Sequence, residues 1–149
     1  MNLRVEDFLP HRPPMILLDE LSSIDESRAV SYVNISPKSL FFSDGAVPSW
    51  VGIEYMVQTM AAFTNFQARE KSGKPAIGFL LGTRSFVARR SEFLDGERLK
   101  IEVKPLLIGD PIGSFECRIE INNELIAEAS LTAYKPDKDF LAHLKSEKK

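Results

Sequence analysis

Cysteine is almost absent. Cys117 is the only one in 149 residues, so the chain can form no internal disulfide and no cysteine-rich metal site, which suits a reducing cytoplasm. Histidine is nearly as scarce: His11 and His143 stand alone, and no set of His, Cys and Asp falls at metal-ligand spacing. A phosphate loop and a dinucleotide fingerprint are also missing. The 19 basic and 21 acidic residues are interspersed and sum to a net charge of -2, which leaves no basic patch for nucleic acid. Nothing approaches a membrane span, and the opening MNLRVEDFLPHRPP carries acidic residues and prolines where a signal peptide needs an apolar run. These absences predict a soluble, cytoplasmic protein with no metal and no cofactor. The length suits one domain over residues 1–149, with 136–149 as a charged C-terminal tail.

What the chain does contain is a carboxyl in an apolar setting. Glu54 lies within Val47–Ala62 (VPSWVGIEYMVQTMAA), a segment otherwise almost wholly apolar and long enough to run as a helix through the middle of a fold. A charge buried in such a segment needs a partner or a raised pKa, so Glu54 is the first candidate for proton transfer. Glu54, Gln58, Ala61 and Asn65 recur at the helical interval and form one polar-to-small stripe. Pro48 and Ser49 suit a helix start, with Ser49 as the cap, and Ser72-Gly73 with Pro75 beyond suits its end. The alternative for Glu54 is a purely structural carboxyl, bonded in the core or at a subunit seam.

Around this helix the pattern is that of strands. MILLDEL (15–21) reads as a short strand, Ser22–Ser27 as a turn, and Ala29–Ile35 as its partner. Residues 37–46 read as a loop leading into the helix. Ile77–Val87 and Arg98–Ile108 read as strands separated by the Asp95-Gly96 turn, with Leu99, Ile101 and Val103 alternating against Lys100, Glu102 and Lys104. Gly109-Asp110-Pro111 breaks that strand. Phe115, Cys117, Ile119 and Ile121 alternate likewise, and Asn122-Asn123 marks a hairpin into Leu125–Tyr134. Two strands, a long apolar helix and then three or four antiparallel strands make an α+β fold with a sheet wrapped over one helix. So apolar a helix needs more cover than one small sheet, which predicts a second copy across a two-fold interface.

Three ordered motifs carry a resemblance over roughly residues 8–134: LPHRPPMILLDEL (9–21), AVPSWVGIEYMVQTMAA (46–62) and IGFLLGTR (77–84). Together they resemble the hotdog-fold 3-hydroxyacyl-[acyl-carrier-protein] dehydratases, and most of all the thioester dehydratases of aryl-polyene gene clusters. The resemblance implies a hotdog fold and a lyase that removes water from 3-hydroxyacyl groups carried on acyl carrier protein. It also implies a dimer, either of like chains or with another hotdog protein. The family's loop histidine, fourteen residues before the helix carboxylate, falls on Leu40, and the family's glycine at the helix start falls on Ser49.

Removing water from such a thioester needs a base at C2, an acid for the departing hydroxyl and a donor for the enolate-like oxygen. Helix-start amides at Ser49 and Trp50 are candidate donors and substrate-binding groups. Glu54, its pKa raised by apolar surroundings, is the candidate acid, and Gln58 one turn on either orients it against the substrate or satisfies backbone groups. His11 is the candidate base, against a structural histidine of the LPHR corner. Trp50, Phe41 and Phe42 are weighed as acyl-tunnel lining against plain packing, and Cys117 reads as core. Arg84, Arg89 and Arg90 are weighed as contacts to a carrier against solvated surface. Two other functions fit this residue set: a hotdog thioesterase, and a non-catalytic subunit paired with an active hotdog partner.

Overall fold

A computed structural model describes residues 3–9, 15–72, 80–107 and 112–134. The candidate base His11, the 109–111 break and the tail 136–149 lie outside the described residues. In chain order the elements are α1 (Val5–Phe8), β1 (Glu20–Ile24), β2 (Ala29–Asn34), β3 (Ala46–Pro48), α2 (Gly52–Ser72), β4 (Leu80–Ala88), β5 (Glu92–Leu94), β6 (Arg98–Leu107), β7 (Ile112–Ile121) and β8 (Glu124–Tyr134).

Six strands form one antiparallel sheet in the order β1-β2-β6-β7-β8-β4, and β3 pairs with β5 in a separate ribbon. Two-residue alternation decides which face is which. Leu99, Ile101 and Val103 of β6 and Phe115, Cys117, Ile119 and Ile121 of β7 are buried, while their neighbours carry charge outward. On the outer face Arg28 donates to Glu102 at 2.8 Å, and Glu102 stands opposite Arg118, which in turn stands opposite Glu128. The buried face wraps α2, which packs on β1, β2, β6 and β7. This is the expected hotdog arrangement, an antiparallel sheet around a long central helix.

The strand ends are set by turn chemistry. Asn122 and Asn123 both adopt left-handed backbone, φ 51° and 67°, as a two-residue hairpin needs, and Gly96 turns at φ 89°. The first strand sits later than expected. Asp25 Oδ1 accepts from the Ser27 and Arg28 amides at 2.7 and 3.0 Å, so the β1–β2 turn is at 25–28 and β1 is Glu20–Ile24. Residues 15–18 of the MILLDEL segment form no strand and lie outside the sheet.

The helix also starts later than expected. Ala46–Pro48 is strand β3, Ser49–Val51 is a 3₁₀ turn, and α2 begins at Gly52 and ends at Ser72. Ser49 is not the cap; that position is Pro48, with no side-chain cap bond. Gly52 allows the closest approach of helix to sheet, since a Cβ there would stand 2.9 Å from Ile119 Cδ1 and 3.3 Å from Phe93 Cζ. Inside the core Thr59 donates its one hydroxyl proton to the Tyr55 carbonyl at 2.8 Å, so Ser31 is the donor in the 2.6 Å Ser31–Thr59 contact that ties sheet to helix.

Cover for the helix comes partly from the chain itself. α1 packs on α2, and Asn65 Nδ2 donates to the Phe8 carbonyl at 2.6 Å. Ile53 and Val57 stay half-exposed. Among the described residues no helix is long and apolar enough to cross a membrane.

Replacing Asn123 by valine is expected to cost about 1–2 kcal/mol, because a β-branched residue strains at positive φ. Urea unfolding should show a lowered midpoint at unchanged slope.

Candidate active site

The polar stripe on α2 is where the site is built. Gln58, wholly enclosed, accepts from the Leu17 amide through Oε1 at 2.9 Å and donates through Nε2 to the Met15 carbonyl at 2.7 Å. Those two backbone bonds fix which end of the amide is which. The other Nε2 proton then points at Glu54, whose Oε1 accepts at 3.3 Å. Gln58 therefore does both tasks set out for it, orienting Glu54 and satisfying backbone groups. It is fully buried, and its bonds go to the 15–17 segment and to Glu54. Glu54 itself is half-buried rather than enclosed, in the first turn of α2.

The helix start divides the two expected donors. The Ser49 amide donates to the Ser91 carbonyl at 2.8 Å and is thereby spent. Trp50, next in line, belongs to the first amides of a helix start, which have no acceptor within the helix. Its indole is 57% exposed and touches Phe41, ring centroids 5.3 Å apart. Phe41 is 51% exposed with φ 70°, whereas Phe42 packs partly against the core.

Beside this helix face lies a cleft of about 160 Å³ between the 16–19 segment, the end of β2 and the 36–40 loop, with Leu40 on its wall. Tyr55 was not singled out from the sequence, though a hydroxyl in so apolar a helix was the available signal. It is 2% exposed and lines the cleft, and burial together with the Asp19 carboxylate pushes its phenol up to about 12. It is a proton donor in hydrogen bonds, not a base, at neutral pH.

The arginines separate as well. Arg90 makes a two-pronged pair with Glu97, Nη1 to Oε2 at 2.9 Å and Nη2 to Oε1, holding that carboxyl below the usual range. That pair fixes the β5 turn and leaves Arg90 engaged, while the Arg89 side chain is exposed. The side chain of Arg84 lies outside the described residues. Among the described residues no His, Cys, Asp and Glu set gathers at metal-binding distance.

A family model described as ApeP-like, ApeP dehydratase, matches residues 3–145. The chain belongs to the ApeP-like dehydratase family. It is 27% identical over 134 residues to the 3-hydroxyacyl-[acyl-carrier-protein] dehydratase FabZ of Bacillus cereus (strain AH187), covering 87% of this chain and 91% of that protein. The FabZ of Bacillus thuringiensis (strain Al Hakam) matches at the same identity and coverage. Among solved structures the dehydratase heterocomplex ApeI:P of Xenorhabdus doucetiae superposes with a TM-score of 0.86 at 27% identity, over 97% of this chain and 98% of that one. A hypothetical thioesterase protein with coenzyme A from Streptococcus pneumoniae TIGR4 shares the fold at TM-score 0.62, with 11% identity over 78% of this chain and 84% of that one. The dehydratase matches decide for the lyase, since the thioesterase likeness is one of fold alone.

Two outcomes are expected here. Gln58→Leu leaves the Leu17 amide and the Met15 carbonyl without their partner and should lower stability by about 1–3 kcal/mol in denaturant titration. Cys117 is enclosed and its thiol pushed up to about 12, so a thiol-disulfide reagent at pH 8 should label the folded protein only at the rate of unfolding.

Proposed function

We propose that this chain dehydrates 3-hydroxyacyl groups held as thioesters on acyl carrier protein, in fatty-acid-like or aryl-polyene biosynthesis in the cytoplasm. The observation that carries the reading is Glu54, half-buried one helical turn after Trp50 and oriented through Oε1 by Gln58. Glu54, oriented by the Gln58 amide, gives a proton to the departing C3 hydroxyl, which leaves as water. The Trp50 amide, at the positive end of the helix, donates to the thioester oxygen as the C2 proton is taken.

The base that takes the C2 proton is an imidazole. His11 is the candidate within the chain, four residues before the Met15 carbonyl that Gln58 holds. A second source is a partner subunit, favoured by Leu40 standing on the cleft wall at the family's histidine position. Half-exposed Ile53 and Val57 support assembly with a second hotdog subunit, like or unlike, and the likeness to the ApeI:P heterocomplex supports the unlike pairing.

The test is intact-mass spectrometry of a 3-hydroxyacyl carrier protein incubated with the chain, alone and with its partner. Loss of one water is expected, and release of free carrier thiol would overturn the lyase reading. Glu54→Gln should slow water loss by about 10²–10⁴-fold, and a fully active variant would remove Glu54 from the mechanism. If His11 is the base, His11→Asn is inert in every assembly; full activity assigns the base to the partner.

A further inference from the structure

Between β4 and β6 the chain leaves the six-stranded sheet for one short excursion, residues 90–97, that carries β5. The two ends of the excursion are joined by the two-pronged Arg90–Glu97 pair, Nη1 to Oε2 at 2.9 Å and Nη2 to Oε1. Glu97 Oε1 also accepts from the Leu94 amide at 2.6 Å. The two side chains are only 32% and 21% exposed, so the pair is partly withdrawn from water and holds more firmly than a surface ion pair.

What the pair closes is fastened to the segment that delivers the central helix. β5 pairs with β3 alone, Val47 opposite Phe93 and Pro48 opposite Glu92. The Asp95 amide donates to the Gly45 carbonyl at 3.0 Å, and the Ser49 amide donates to the Ser91 carbonyl at 2.8 Å. Phe93, wholly enclosed, sits beside Gly52 with its ring 6.1 Å from that of Tyr55. A ribbon of two short strands is marginal by itself, so whatever closes the excursion governs where the Ser91 carbonyl stands.

We infer that Arg90 and Glu97 are a positioning pair for the dehydration: by closing the 90–97 excursion they hold the Ser91 carbonyl on the Ser49 amide, and so aim the next amide, that of Trp50, at the thioester oxygen. This rests on the dehydratase reading above. Neither side chain touches a reacting atom. Planar peptide units leave few ways for one amide to turn when its neighbour is held, so the Ser49 bond restrains the Trp50 N–H. The thioester oxygen gains charge only as the C2 proton leaves, so a donor swung off line weakens the transition state and hardly the bound substrate.

Two variants test the pair. Glu97→Gln keeps an acceptor for the Leu94 amide and removes the charge, and Arg90→Lys keeps the charge and loses the two-pronged geometry. Circular dichroism verifies folding. With a 3-hydroxyacyl carrier protein and the assembly active in the mass-spectrometric test, both should lower kcat about ten- to hundredfold with KM within about twofold. A second readout needs no turnover. Amide hydrogen exchange followed by NMR should find the Ser49 amide protected in the parent chain and exchanging about tenfold or more faster in both variants, while the Ile119 amide in the middle of the sheet keeps its rate. Unchanged exchange at Ser49 overturns the inference, and so does equal acceleration at Ile119, which would reduce the pair to global stability. An intact kcat, or a rise in KM alone, overturns it as well. A parent chain that releases no water in any assembly removes the dehydratase reading and the kinetic half with it; exchange at Ser49 then decides whether the pair sets the helix start.

Discussion

Gln58 is an amide in the middle of an apolar helix, and its hydrogen bonds decide what lies on that side of the fold. Left unpaired, its donor and acceptor would cost more than most single contacts contribute. The Met15 carbonyl and Leu17 amide supply the pairing, so the chain after the proline-rich corner must run along α2 instead of joining the sheet. Asn65 does the same with the Phe8 carbonyl two turns further on. The central helix is thereby clasped from one side by the N-terminal segment and from the other by the sheet. Glu54 stays half-buried at the N-terminal end of the stripe, with Gln58 bonded to its Oε1.

The other side of the helix is governed by closeness. Gly52 lets the first turn of α2 come down on Ile119 and Phe93, where any side chain would meet both. That contact, together with the Ser49–Ser91 backbone bond, fixes where the helix begins. The start in turn decides that the Ser49 amide is consumed by β5's neighbouring turn.

Much of this was legible in order. The alternation of Leu99, Ile101 and Val103 and of Phe115, Cys117, Ile119 and Ile121 is a direct record of two faces in different solvents, and both strands fall where it put them. The Asn122-Asn123 hairpin follows from backbone preferences that need no distant partner. The polar stripe was legible as a stripe, though not what would cover it. MILLDEL misled because an apolar segment looks alike whether it bonds to a strand or to two side chains of a helix. Ser49 misled because β3 and a 3₁₀ turn run through it to Val51, which moves the start of α2 to Gly52 and takes Ser49 out of the cap position.

The sequence by itself determined the class of fold, the lone acidic group in the apolar first half of the central helix and the kinship to dehydratases, because these depend on periodicity and on ordered local motifs. Only the tertiary structure decided that Gln58 orients Glu54 and is itself closed off, that the Ser49 amide is spent, that Arg90 belongs to Glu97, and that Phe41 and Trp50 face outward. Each of those is a choice of hydrogen-bond or packing partner between segments far apart in the chain. Such choices are made by burial and distance, which a linear pattern constrains only through the period of its own elements.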